Sequence, residues 1–277
     1  MYQKTIKLFL YDGDPNSRII CDLSNWNGIA YKIPKNMLKD STKDKFACVE
    51  NTGVYFLFGE EDGIQKVYIG EAENLYKRLI QHLNDNRDSW QECILFTRVD
   101  NSLNKAHVKY IENELYQSAI KSARYDVDNS NVPTRSTLSM TEEAEMKEVI
   151  DNIKMLTSSL GFKVFIDAST QKRIDKNIFY FKSKAFNATG YEAENGFIVE
   201  KGSTINTVEA QSLHDSHRAI RKRLIEQGII DNNYTFTENY LFSSSSNAGC
   251  IVSGYRVSGP QSWKTSNGKT LKEINEN

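Results

Sequence analysis

Two short apolar segments lying close together constrain this chain most. Residues 53–58, Gly-Val-Tyr-Phe-Leu-Phe, and residues 66–69, Lys-Val-Tyr-Ile, flank the acidic loop Glu60-Glu61-Asp62-Gly63. Short runs of β-branched and aromatic residues around a glycine-containing loop predict a hairpin. The pattern then changes period. Residues 74–84 read as a helix, 93–99 as a third strand, and Asn104 opens a longer helix reaching about Arg124. Residues 126–138 are polar, contain Pro133 and read as a loop. Ser139 and Glu142 have the spacing of a capping box, and Met146, Val149, Ile150, Ile153 and Leu160 keep helical spacing up to Gly161.

Outside this stretch the signals are weaker. Lys4–Tyr11 leans towards strand, and Asp12-Gly13-Asp14-Pro15 is a turn. Residues 162–205 suggest several strands. A helix over about Ala210–Gln227 is closed by Gly228, and the tail reads as short strands and loops. The predicted class is α+β.

Composition excludes several alternatives. With 277 residues, 39% of them hydrophobic and 26% charged, the chain suits one large or two modest globular domains. The four cysteines are scattered without a CxxC pair, which excludes a local zinc knuckle or redox dithiol and fits a reducing compartment. The N-terminus carries no leader pattern, and no apolar run approaches the roughly 18 residues of a membrane span. The expectation is a soluble cytoplasmic protein with no membrane partner. A net charge of −1 speaks against strong non-specific nucleic-acid binding through bulk charge. Two local clusters remain, Arg218, Arg221, Lys222 and Arg223, and Lys172, Arg173, Lys176, Lys182 and Lys184. Each is either a basic binding surface or a solvated face.

The chemistry-bearing residues gather in the middle segment. The two predicted strands each carry a tyrosine, Tyr55 and Tyr68. On the helix after them, Leu75, Tyr76, Leu79, Ile80 and Leu83 make an apolar arc. Arg78 and His82, one turn apart, fall at its margin, where a guanidinium and an imidazole need partners. A phosphate and a tyrosine hydroxyl would serve; so would a snorkelling arginine and a satisfied core histidine. On the next helix Val108, Ile111, Leu115 and Ala119 define the apolar face. Glu112 projects into it while Glu114 points away. An inward carboxylate needs a cation, either a divalent metal with oxygen preference or Arg78 itself.

The ordered set Gly53-Val54-Tyr55, Tyr68-Ile69-Gly70, Arg78, His82 and Glu112 resembles the GIY-YIG nuclease superfamily over about residues 51–130. The resemblance implies a small antiparallel sheet flanked by helices. It makes Tyr55 a general base or water-positioning group and gives Tyr68 a share in orienting the nucleophile. Arg78 would hold the scissile phosphate, His82 would support Tyr55, and Glu112 would ligate Mg2+ or Mn2+. Asn129 resembles an asparagine found after that helix, with Asn131 nearby as an alternative. Glu71 departs from the lysine or glutamine that many members carry after the second motif. A phenol with an ordinary pKa near 10 is a poor base at neutral pH, so this reading predicts loss of activity in acid.

The whole chain also resembles a bacterial and archaeal group in which this domain sits between two additions. The first is marked by Gly13-Asp14-Pro15 and Asn25-Trp26-Asn27-Gly28. The second, a C-terminal domain of unknown function, is marked by Gly202-Ser203, the stretch from Arg218 to Gly228, Phe242–Ala248 and Trp263-Lys264. The predicted organisation is a β-rich extension over 1–50, a nuclease domain over 51–138, a connecting helix over 139–161 and a mixed α/β C-terminal domain over 162–277. Ser243–Ser246 either cap a short helix at Asn247–Ile251 or contact a phosphate. His214 and His217, three apart, lack a third metal ligand nearby in sequence, and His217 lies on an apolar stripe that suits a core histidine. Trp26, Trp90 and Trp263 read as core or interface anchors rather than base-stacking platforms.

The leading expectation is a metal-dependent endonuclease acting on DNA. The alternatives are a non-catalytic nucleic-acid-binding module and a nuclease acting on RNA or branched DNA. The sequence is silent on oligomeric state.

Overall fold

The computed structural model describes residues 3–41, 49–61, 64–84, 90–122, 124–166, 171–174 and 177–276. Cys48 and Lys176 lie outside them. The chain divides into two compact units, Met1–Phe165 and Ile166–Asn277.

In the first unit, β1 (Ile6–Leu10), β2 (Ile19–Leu23), β3 (Gly28–Pro34), β4 (Gly53–Glu61), β5 (Ile64–Ala72), β6 (Trp90–Arg98) and β7 (Asp126–Val127) form a seven-stranded sheet ordered β1-β2-β3-β6-β4-β5-β7. Neighbours are antiparallel except β5 and β7, which run parallel. β4 sits inside and is covered on both faces, which explains why its sequence is continuously apolar rather than alternating. Val54, Phe56 and Phe58 face α2 (Lys105–Ser122) and α3 (Met140–Ser159). Tyr55 and Leu57 face the other way, with α1 (Leu75–Asn84). Each buried phenylalanine contributes roughly 1.5–3 kcal/mol of hydrophobic stabilisation.

The sheet is larger than the small core predicted for residues 51–138. Residues 1–50 carry strands of the same sheet: β3 pairs with β6 from Gly28↔Arg98 to Pro34↔Glu92. The physical reason is burial. An edge at β6 would leave its backbone groups unpaired beside apolar side chains, and β3 supplies both partners and Tyr31 and Ile33 for the core. The helix predicted as a connector is likewise a layer of the first unit, because Met146, Val149, Ile150, Ile153 and Leu156 are buried against α2 and the sheet. Its predicted capping box is present, with Ser139 and Glu142 bonded reciprocally.

The second unit has a four-stranded antiparallel sheet ordered β11-β10-β9-β8, from β8 (Phe179–Lys182), β9 (Asn187–Ala193), β10 (Gly196–Val199) and β11 (Tyr240–Phe242). One face buries Phe179 and Phe197 with the indole of Trp263. α5 (Ser245–Ser253) packs on this sheet, capped by the Ser244 hydroxyl as one of the two sequence readings held. α4 (Asp215–Glu226), α6 (Gly259–Ser262) and α7 (Leu271–Asn275) complete the unit. α4 begins later than predicted. The backbone before it is strapped to α5, with Asn206 N donating to Val252 O and Ala210 N to Gly254 O. Among the described residues no helix is long and apolar enough to cross a membrane.

Candidate active site

Strand alternation and one helical turn assemble four of the six candidate residues. Tyr55 and Tyr68, on neighbouring strands, both project to the α1 side, with ring centroids 6.0 Å apart. Arg78 and His82, on α1, reach back to them. Tyr55 Oη lies 2.7 Å from His82 Nε2 and 3.3 Å from Arg78 Nε. Tyr68 is hydrogen bonded to both Tyr55 and Arg78. Because Arg78 Nε can only donate, the Tyr55 oxygen accepts from it. The same phenol oxygen is thus shared by Arg78 Nε and His82 Nε2. Gln81 Oε1 accepts from Arg78 Nη1 at 2.9 Å and fixes the other side of the guanidinium.

Gly70 explains the second motif's glycine. A Cβ there would lie 2.4 Å from the Tyr55 phenol carbon and oxygen. The phenol crosses over the neighbouring strand through space that only glycine leaves, and this crossing brings its hydroxyl to the helix.

Tyr55 is fully buried, and burial, the largest cause, pushes its pKa far above the ordinary phenol value. A phenol that holds its proton this tightly and is closed off from solvent is no proton acceptor at neutral pH. Burial thus works against the general-base half of the role implied by resemblance, while the Tyr55 oxygen accepts from Arg78 Nε. Tyr68 is only partly buried.

Asn129 has another place. Its side-chain amide donates to Ile69 O at 2.7 Å and accepts from Ile69 N at 3.1 Å. Both halves of the amide are spent on the β5 backbone between Tyr68 and Gly70. Asn129 pins the strand that carries the motif and is a positioning residue.

Glu112 belongs to α2, which packs on the face of the sheet opposite to α1. Residues of opposite parity on β5 point to opposite faces: Tyr68 towards α1, and Val67 and Ile69 towards α2. Glu112 lies on the α2 side, bonded by the Glu71 backbone. Its charged neighbours there are Glu71, Lys105 and Lys109. Burial first, then the Glu71 charge, push its carboxyl up from 4.5 to about 7. The Glu71 carboxylate is paired with Lys105 Nζ at 2.8 Å. The two groups meet at the end of β5. A cleft of about 390 Å³ is lined there by Glu71, Asn74, Lys77, Arg78, Gln81 and Lys105, among others. Sequence reading missed Lys105. The signal was its position seven residues before Glu112, on the same helix face.

Among the described residues no group of three or more His, Cys, Asp or Glu could hold a metal ion. A hard cation bound through one or two carboxylates, with water and phosphate completing its shell, asks for less. Glu112 with Glu71 meets that lesser demand. Burial first and the Glu71 charge second disfavour the ionised Glu112, and a cation held there would offset both.

The basic cluster on α4 is not one surface. Arg221 is buried; its guanidinium donates to Glu209 at 2.9 Å and also to the Ile251 and Asn206 carbonyls. It is a structural cation and is withdrawn as a nucleic-acid contact. Arg218 is bound to the same Glu209 at 2.8 Å, and Lys222 lies 3.8 Å from Glu226. Arg223 is half-buried. His217 Nε2 donates to Asn247 Oδ1, 3.1 Å away, as a core histidine does.

A family model described as Domain of unknown function (DUF4357) matches residues 179–275, in the second unit. No curated protein and no solved structure matches the chain. The DUF4357 match leaves the candidate site outside it, so the likeness to GIY-YIG nucleases rests on the motif residues.

Proposed function

We propose that the first unit is a metal-dependent endonuclease that hydrolyses nucleic-acid phosphodiester bonds, with DNA as the substrate class. The observation that carries the proposal is the aimed guanidinium. Arg78 is held by Tyr55 and Gln81 on the wall of a polar cleft that also contains Glu71 and Lys105. An arginine fixed from two sides can meet a phosphodiester in a fork contact and neutralise charge that builds in the transition state. The Tyr55–His82 pair behind it is buried and hydrogen bonded, so the guanidinium is already placed before a phosphate arrives. Tyr68, partly exposed and bonded to Arg78, is the hydroxyl available to orient a water. Glu112, assisted by Glu71, would hold the divalent cation, and Lys105 would release Glu71 to do so. A cation bound there supplies Lewis-acid polarisation of a phosphate oxygen.

The test is conversion of supercoiled plasmid to nicked and linear forms, with Mg2+ or Mn2+ and with EDTA. Cutting that needs the metal and is lost in Arg78→Ala supports the proposal. Binding without cutting under all metal conditions favours the non-catalytic module.

A further inference from the structure

The second unit has a sheet face that the nuclease reading does not use. Antiparallel partners share a face, so the register settles its membership. Tyr180 pairs with Thr189, Lys182 with Asn187, Tyr191 with Ile198, and Ile198 with Leu241. Beyond β8, Tyr180 also pairs with Lys264, exchanging backbone bonds of 2.7 and 3.0 Å. This face is opposite to the one holding Phe179, Phe197 and Trp263. Its β10–β11 half is apolar: Ile198 and Leu241 are buried with Ile166 packed on them. Its β8–β9 half is different. Tyr180 and Tyr191 are only partly buried, while Lys182, Lys264 and Arg173 are exposed. Lys182 Nζ stands 4.5 Å from the Tyr180 ring centroid, and the Arg173 guanidinium lies 4.1 Å from that of Tyr191. Glu200 takes Arg173 at 3.4 Å from the rim.

We propose that this half-face binds single-stranded nucleic acid, with one base stacking on Tyr180, another on the Arg173–Tyr191 stack, and the backbone phosphates on Lys182 and Lys264. Aromatic rings on a sheet face, interleaved with exposed cations, fit that ligand in both chemistry and charge. Every base offers a π-face, so stacking tolerates any sequence, and the lysines follow the chain of phosphates. Arg173 offers a planar guanidinium on which a base can stack. A duplex hides its base faces and fits poorly. An acidic peptide would use the lysines but gain nothing from the rings. The proposal is independent of the site in the first unit and stands whether or not that unit cleaves.

The test is fluorescence anisotropy of labelled oligothymidylate with the full chain in EDTA, which removes any cutting from the readout. Tyr180→Ala weakens binding about tenfold or more, and Tyr180→Phe keeps it. Lys182→Glu with Lys264→Glu weakens binding further and flattens the dependence on salt. Unchanged thermal unfolding shows that each variant folds; a variant that unfolds early is replaced by Lys182→Ala or Lys264→Ala, both exposed. Affinity unchanged in both Tyr180→Ala and the double lysine variant overturns the proposal. So does duplex or polyglutamate binding as tight as oligothymidylate, with the same response to Tyr180→Ala. Loss of plasmid cutting in Arg78→Ala without loss of oligothymidylate binding shows that the two sites are separate.

Discussion

Replacing Glu112 by glutamine removes the ionisable group and keeps the shape. In the folded state its carboxyl is raised from 4.5 to about 7, mainly by burial. The native state therefore holds this proton more tightly than the unfolded chain does. The stability so contributed is complete below about pH 4.5 and is lost as pH rises through about 7. At full value the change is worth about 3 kcal/mol. Glu112 keeps some contact with solvent, and screening reduces the figure to about 1–2 kcal/mol. Glutamine still accepts from the Glu71 backbone but carries no charge to desolvate. Glu112→Gln is thus expected to match wild type near pH 4.5 and to exceed it by about 1–2 kcal/mol near pH 8.5. At roughly 2–4 °C per kcal/mol for a unit of this size, melting in EDTA resolves the difference. Equal shifts at both pH values, or a glutamine variant less stable than wild type at the higher pH, would refute the burial argument. Added Mg2+ should stabilise wild type at high pH and leave the glutamine variant unmoved.

Three other outcomes follow from the same contacts. Tyr55→Phe leaves His82 Nε2 and Arg78 Nε without their phenol partner; it should cost about 1–3 kcal/mol of stability and lower plasmid cutting well below wild type, read by calorimetry and nicking rate. Gly70→Ala drives a methyl into the Tyr55 phenol, and its melting point should fall by more than that of Tyr55→Phe. Arg221→Ala leaves Glu209 and two carbonyls without their cation and should destabilise the second unit by about 3 kcal/mol or more, whereas Lys222→Ala, on the exposed side of the same helix, should be near neutral in thermal melts.

The hairpin and both long helices were legible because they rest on local spacing, period two along a strand and one turn along a helix; the contacts of Tyr55 with Arg78 and His82, 23 and 27 positions apart, were legible only through the resemblance. Asn129 was legible as a residue near the site but not in its role, since its partner Ile69 is 60 positions away. Glu112 was legible as an inward carboxylate but not by its neighbours Glu71, Lys105 and Lys109. Helical spacing showed that it points inward but not which face of the sheet α2 covers. Only the register of β5, with Tyr68 towards α1 and Ile69 towards α2, settles that. Arg221 looked like part of a basic surface because charge runs read alike whether solvated or buried, and the burying partners, Asn206 and Ile251, are 15 and 30 residues distant. The union of residues 1–50 with the central sheet is a long-range pairing of β3 with β6, which carries no local signature.

The central claim is that Arg78 and Glu112 serve one hydrolytic centre, linked through Glu71, which lines the Arg78 cleft and neighbours Glu112. The direct measurement is nicking of supercoiled plasmid in Mg2+ by wild type, Arg78→Ala and Glu112→Ala, each checked for folding, across about pH 5.5 to 8.5. Wild type is expected to cut faster as pH rises through about 7, where Glu112 loses its proton, and both variants should be inactive throughout. Cutting by either variant at the wild-type rate, or a wild-type rate that does not change with pH, would contradict it.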